Sequence, residues 1–249
     1  MNTKRGETLK KLIITVFVVL AILLFNRPNL LAYGWGFKRN NNNLTPDIGI
    51  YEDIIKDKNA YYIGQKDKIY LTFDCGYDNG NLEKILKILK EKQVASTFFI
   101  TGDFIERFTP LLEEIVRDGH VVGNHSYSHL DITKASEESI IKDLNRLEQL
   151  YFKKIGTKMA SIFRPPEGCF DNKSLNIIEK QGYKTIFWSI AYIDWKENSV
   201  DVYNHIMENL HDGAIILMHP ISNSNVENLE KVIDGIREKG YEFDVVTNL

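Results

Sequence analysis

The spacing of apolar residues along the chain changes in a regular order. Ile69, Leu71 and Phe73 alternate with Tyr70 and Thr72, which is the period of a strand. Leu82, Ile85, Leu86 and Leu89 then recur at helical spacing. The same switch repeats to the end. Residues 94–100 read as a strand rich in aromatic and β-branched side chains. Thr109-Pro110 opens a helix with proline in its first turn, and Gly119 closes it. Val121 and Val122 make a short strand. Residues 136–155 form a long amphipathic helix stopped by Gly156, and 161–163 a strand. Asp171 caps a helix that Gly182 ends. A strand at 183–190, a helix at 201–210, a strand at 214–218, a helix at 225–239 and a last strand at 241–246 complete the series. Strands alternating with helices predict an α/β fold on a parallel sheet, either open or closed into a barrel. No internal repeat interrupts the pattern.

The N-terminus follows different rules. Lys4, Arg5, Lys10 and Lys11 precede an apolar run from Leu12 to Phe25, ended by Asn26-Arg27-Pro28. Positive charge followed by a short apolar segment is the layout of a secretory signal. The run is shorter than the ~20 residues of a spanning helix, yet only Leu30-Leu31-Ala32 offers a fair cleavage site. Residues 1–32 therefore read as a signal peptide or an N-terminal membrane anchor. Either way the basic end stays cytoplasmic and the body is exported. Residues 33–64 read as a linker and lead-in segment, with 38–47 polar and turn-rich. Residues 65–249 form the expected catalytic domain.

Composition narrows the function. With 43% hydrophobic and 26% charged residues over 249 positions, the chain is ordinary globular protein, long enough for one α/β barrel. Lys and Arg number 31 against 34 Asp and Glu. Five of those cations and one of those acids lie in residues 1–32, which leaves the body at −7. So acidic a body excludes a nucleic-acid partner, whose phosphates need a basic face. Two cysteines, Cys75 and Cys169, are too few for a disulfide framework.

In α/β barrels the active site lies at the C-terminal ends of the strands. Five strands of this chain end in polar residues there: Asp74, then Asn124, His125 and His129, then Arg164, then Asp194, then His219. Any one of them has an ordinary explanation as a turn cap or a solvated charge; together at one rim they point to chemistry. His125 and His129, four residues apart, share a face if the segment is helical and then chelate one metal. His120, His205 and His211 fall away from strand ends and read as structural or solvated. The chain has no G-x-S-x-G elbow, no H-E-x-x-H, no P-loop and no dinucleotide fingerprint.

The segments LTFDCGYDNG (71–80), GNHSYSHLD (123–131), FRPPEGCF (163–170), IDW (193–195) and ILMHP (216–220) resemble, in order, the five motifs of polysaccharide deacetylases. These are family 4 carbohydrate esterases with a NodB-homology domain. The resemblance covers about residues 65–249. It is closest to the subgroup that prepares muramic δ-lactam in spore peptidoglycan, through TFDxGY(D/E)N, RPPxGxF and Asp194-Trp195; GWGFKRN (34–40) is similar to that subgroup's approach to the domain. The resemblance implies a distorted (β/α) barrel with parallel strands. It implies Asp74 as catalytic base, Arg164 as its positioner, His219 as general acid and Asp194 as the group that orients and charges His219. It implies His125 and His129 as metal ligands, and a substrate surface at Tyr77, Pro166, Glu167 and Trp195. The backbone N–H at Glu167, where the family usually has an aromatic residue, would help hold an oxyanion.

Cys75 departs from the pattern. The family places a second Asp there as third metal ligand, and the spore subgroup an Asn. As thiolate, Cys75 completes a Cys-His-His site for a divalent metal, zinc by its tolerance of S and N donors; as thiol it leaves two ligands. A disulfide to Cys169 would sit across the working site, so two thiols are expected. The expected reaction is hydrolysis of the N-acetyl group of N-acetylmuramic acid in peptidoglycan glycan strands. The alternatives are the same chemistry on another acetylated polysaccharide (intact peptidoglycan, chitin or xylan) or a catalytically inactive wall-binding module.

Overall fold

In β3 (Lys68–Cys75) every residue after the first is buried, because both of its faces are covered. A computed structural model describes residues 32–39, 43–196 and 200–249, and Tyr33–Leu249 forms one compact unit. The predicted signal or anchor lies outside the described residues. Among those residues no helix is long and apolar enough to cross a membrane.

The strands are β1 (Tyr33–Gly34), β2 (Ala60–Tyr61), β3, β4 (Thr97–Ile100), β5 (Val121–Asn124), β6 (Ile162–Phe163), β7 (Cys169–Phe170), β8 (Lys184–Ile186), β9 (Ile215–Met218) and β10 (Glu242–Phe243). The large sheet runs β10-β3-β4-β5-β6-β8-β2, with β9 on β3, and every pairing between its strands is parallel. Beyond β8 the chain stays extended enough for Ile190 to bridge Ile216 in β9. That bridge curls the sheet back toward β3. The result is the expected distorted (β/α) barrel.

Alternation along the strands builds two cores. Ile69, Leu71, Phe73 and Cys75 of β3 face outward and pack with Leu82, Ile85, Leu86 and Leu89 of α2 (Leu82–Glu91). Tyr70, Phe99, Ile162, Ile186 and Ile215, one from each of five strands, fill the barrel interior. Gly123 of β5 faces that interior; a Cβ there would lie 2.7 Å from the Phe99 ring and 2.9 Å from Ile162.

The helices begin and end where their caps dictate. In α5 (Glu137–Ile155) the Ser136 side chain accepts from Ser139 N–H, and Gly156 closes the helix at φ 83°. Asp171 and Ser174 form a reciprocal capping box on α6 (Asn172–Lys180). Asp201 caps α7 (Val202–Asn209), and Ser222 caps α8 (Asn223–Glu238). α1 (Tyr51–Ile55), α3 (Gly102–Arg107) and α4 (Thr109–Arg117) complete the set described. The short α3 is unsignalled by periodicity; Thr101 starts it by accepting from Phe104 N–H. The predicted strand 183–190 shortens to β8 because its second half breaks toward the rim, and the predicted strand 241–246 shortens to β10.

The lead-in segment is more than a linker. β1 pairs antiparallel with β7, Tyr33 opposite Phe170 and Gly34 opposite Cys169. Trp35 stacks on Phe187 with centroids 4.2 Å apart, and its indole N–H donates to Trp188 O at 2.8 Å. Lys38 and Asp47 bridge across the predicted linker.

Candidate active site

Asp74 leaves the end of β3 on the inward face, where Arg164 meets it. Arg164 follows β6 and is wholly buried. Its Nη1 donates to Asp74 Oδ1 at 2.8 Å, while Nε and Nη2 donate to Ile186 O and Phe187 O at 3.2 and 3.3 Å. The guanidinium lies over the Phe99 ring, 4.2 Å from its centroid. Burial alone would push the Asp74 carboxyl up. The charges of Arg164, His125 and His219 and the Arg164 hydrogen bond outweigh it and hold the carboxyl below its ordinary value.

His219 follows β9 and meets Asp194. Its Nδ1 lies 2.8 Å from Asp194 Oδ1, and its backbone N–H donates to Asp194 Oδ2 at 2.7 Å. Burial lowers the His219 pKa, but the hydrogen bond and charge of Asp194, with the charge of Asp74, raise it above the ordinary value. With Nδ1 committed to Asp194, Nε2 is the nitrogen left to face a ligand.

His125 and His129 come together, though not on a helix. Residues 125–130 are irregular, with Ser126 at φ 67° and His129 at φ 54°. The two rings nonetheless meet edge to face, centroids 5.2 Å apart. The bend is held by Asp143 of α5, which periodicity does not single out. Its Oδ1 accepts from Ser126 Oγ and Tyr127 N–H, both at 2.7 Å, and its Oδ2 from Ser128 N–H at 3.1 Å and Ser128 Oγ at 2.6 Å. His125 Nδ1 lies 2.9 Å from Arg164 O, which fixes Nδ1 as donor and turns Nε2 toward Asp74, 3.7 Å away. Burial, opposed by Asp74, lowers the His125 pKa to about 4, so the ring is neutral near pH 7.

Cys75 does not join these histidines. It faces the outer core with Phe73 and Leu71, on the opposite side of β3 from Asp74, and is fully buried. Burial, then the charges of Asp74 and Asp78, push its thiol far above the ordinary value. It is a thiol in an apolar core, and the predicted Cys-His-His zinc site does not fit. Among the described residues no group of three His, Cys, Asp or Glu side chains is placed to hold a metal ion. Both cysteines are free.

Of the expected substrate surface, Tyr77 and Trp195 are exposed, at 48% and 62%. Trp195 stands perpendicular to the His219 ring at 5.5 Å, and Tyr77 packs edge-on to Phe108. Glu167 is exposed at φ 56°, but Pro166 is buried beneath it rather than open to a ligand. Gly168 is at φ 67°, and a Cβ there would lie 2.8 Å from Trp188 and 2.9 Å from Trp35 Cβ, so both conformation and space call for glycine. A polar cleft of about 140 Å³, lined by Asn79, Asp194, Trp195 and residues 221–224, opens beside His219. His120, His205 and His211 are all buried, and His205 packs on the Tyr192 ring with centroids 5.1 Å apart.

A parallel (β/α) barrel that carries an arginine-held carboxylate and an aspartate-held histidine at one rim defines a hydrolase of the general acid–base class. The family model described as polysaccharide deacetylase matches residues 62–186, half of the chain. The chain belongs to the polysaccharide deacetylase family, hydrolases acting on amide bonds. It is 38% identical over 222 residues to the peptidoglycan-N-acetylmuramic acid deacetylase PdaA of Bacillus subtilis, covering 86% of this chain and 84% of that protein. The solved structure of Bacillus subtilis PdaA, a family 4 carbohydrate esterase, superposes with a TM-score of 0.84 at 36% identity, over 88% of this chain and 97% of that one. A family 4 carbohydrate esterase from Bacillus anthracis superposes at 0.75 with 37% identity, over 89% and 97%.

Proposed function

We propose that the protein hydrolyses the N-acetyl group of N-acetylmuramic acid in peptidoglycan glycan strands outside the cytoplasmic membrane, giving the free amine that closes to muramic δ-lactam in spore cortex. The observation that carries the reading is the pair of opposed dyads, Asp74–Arg164 and His219–Asp194, at 2.8 Å each. The similarity to PdaA supports the choice of sugar, and the basic, apolar N-terminus supports export.

Asp74 is the catalytic base. Arg164 occupies Oδ1, so Oδ2 is the oxygen that takes a proton from the attacking water. Its lowered pKa keeps it ionised near neutrality. The Glu167 N–H, fixed by the bend of the Pro166–Gly168 turn, donates to the oxyanion of the tetrahedral intermediate. His219 is the catalytic acid. An amide nitrogen departs only when protonated, and the raised pKa of His219 keeps a proton on Nε2 for it. Arg164 and Asp194 act through these two groups as positioning residues. Tyr77 and Trp195 flank the sugar ring. The donors present do not form the expected three-ligand metal site, so no step is routed through a metal.

The test is mass spectrometry of muropeptides after incubating the protein with glycan strands stripped of stem peptides. The expected result is loss of acetyl, then of water, on muramic acid. Deacetylation of glucosamine units alone would overturn the choice of sugar, and an unchanged mass with folded protein would overturn the reaction.

A further inference from the structure

We infer that Asn225 is a positioning residue for the His219–Asp194 dyad, acting through Asp194. The inference rests on the reading of His219 as the acid.

Asn225 lies in the first turn of α8 and is wholly buried. Its Nδ2 donates to Asp194 Oδ2 at 2.7 Å and to His219 O at 3.0 Å. Its Oδ1 accepts from the Tyr192 hydroxyl at 2.8 Å. The amide therefore touches all three parts of the dyad's frame: the carboxylate, the backbone that carries the histidine, and the segment leading to Asp194. Its orientation is settled by chemistry, because a carboxylate oxygen accepts only from the NH2 end and the Tyr192 hydroxyl then donates to the oxygen. Burial and the charge of Asp194 push the Tyr192 hydroxyl far above its ordinary value, so it stays a donor.

The consequence is a division of labour between the two oxygens of Asp194. Oδ2 is pinned by two donors, His219 N–H and Asn225 Nδ2, both at 2.7 Å. Oδ1 is thereby aimed at His219 Nδ1 alone. Without the amide, Oδ2 keeps one donor on a side chain that is almost wholly buried, and the carboxylate is free to turn about its last bond. A buried charge short of a donor is costly and relaxes by moving. The charged groups facing the dyad are Asp74 and Arg164 across the rim, and His205 packs on the Tyr192 ring behind it.

Two variants of the full chain test this. Asn225→Leu keeps the volume and removes both donors. Asn225→Asp keeps the Tyr192 contact and donates to Asp194 only while its own carboxyl is protonated. In the wild type, 15N spectra of the imidazole at alkaline pH show His219 as the single Nδ1–H tautomer. In Asn225→Leu, His219 becomes a mixture of tautomers, and kcat falls about tenfold, the rate equivalent of one charge-assisted hydrogen bond, with KM nearly unchanged. In Asn225→Asp, activity survives at acid pH and is lost as pH rises, with the alkaline limb below that of the wild type. A packing role would lower the rate without moving either the tautomer or the limb. Wild-type His219 signals in folded Asn225→Leu, or a wild-type pH profile in Asn225→Asp, overturn the inference. Because the tautomer is read without substrate, failure of the deacetylase reading leaves it intact, and an active enzyme with an unmoved tautomer isolates failure of the inference itself.

Discussion

Arg164 Nη1 and Asp74 Oδ1 lie 2.8 Å apart, with the guanidinium fully buried and the carboxylate nearly so. Each charge is tolerable there because of the other. Burial raises the Asp74 pKa, and the positive charges and the Arg164 hydrogen bond together lower it by more, so its folded value lies below the unfolded one. The stability it contributes is present above the unfolded pKa and is lost as pH falls through the folded pKa. Arg164→Lys keeps the charge but cannot reach Asp74, Ile186 and Phe187 together. The acid limb of the pH–rate profile then moves to higher pH and kcat falls about a hundredfold. An acid limb that stays in place would show that Arg164 does not set the Asp74 pKa.

His219 gives the opposite sign. Its folded pKa is raised, so its pairing with Asp194 stabilises the fold below the unfolded pKa and ceases to do so as pH rises through the folded one. Asp194→Asn removes the charge and keeps the shape. The alkaline limb of activity moves to lower pH, and kcat falls about a hundredfold or more. Comparing pH–rate profiles of the two proteins checks both.

Cys75 sits among Phe73, Leu71 and the apolar face of α2, so its substitution is a core substitution. Cys75→Ser puts a hydroxyl in that core and lowers stability by about 1–3 kcal/mol. Zinc bound per chain, measured by equilibrium dialysis with metal analysis, stays as in the wild type. A fall in zinc content without a fall in melting temperature would restore Cys75 as a ligand.

Trp35 ties the lead-in segment to the turn that presents Glu167. Its backbone N–H donates to Gly168 O at 2.9 Å, while its indole N–H donates to Trp188 O and its ring stacks on Phe187. Trp35→Ala removes a buried aromatic and costs about 3–5 kcal/mol. The melting temperature reads that loss, and kcat falls with it as the 166–168 turn loosens. Unchanged stability would mean that the segment is an appendage after all.

The barrel and its rim were legible because they depend on local order. Strand alternation ends at Asp74, and apolar runs end at Arg164 and His219, whatever the rest of the chain does. The same alternation carries the signal for Cys75: one position after an inward Asp74, it faces outward. What periodicity does not reveal are polar side chains whose partners lie far along the chain. Asp143 answers Ser126 from α5, and Asn225 answers Asp194 from beyond α7 and β9. Each reads in sequence as one more polar residue on a helix. The bend of 125–129 was illegible for a related reason, since its local bonds, Ser126 Oγ to Leu130 N–H and Asn124 Oδ1 to Ser126 N–H, are completed by the distant Asp143.

That bend supplies the last test. Ser126 and His129 both hold positive φ without glycine, a strain of about 1 kcal/mol or more apiece. The strain persists because the Asp143 carboxylate gathers four donors from three consecutive residues, Ser126 to Ser128. Asp143→Ala leaves those donors to water and lets the backbone relax toward negative φ, which separates the His125 and His129 rings. Asp143→Asn is an intermediate case, because its NH2 end must face a donor. The expected stability losses are about 1–3 kcal/mol for Ala and less for Asn. Hydrogen exchange at residues 126–130 rises in the same order. The barrel strands keep their protection, because the lock acts on the loop and not on the sheet. Exchange that rises throughout the barrel in Asp143→Asn would mean instead that the carboxylate holds α5 to the fold, with the two histidines following passively.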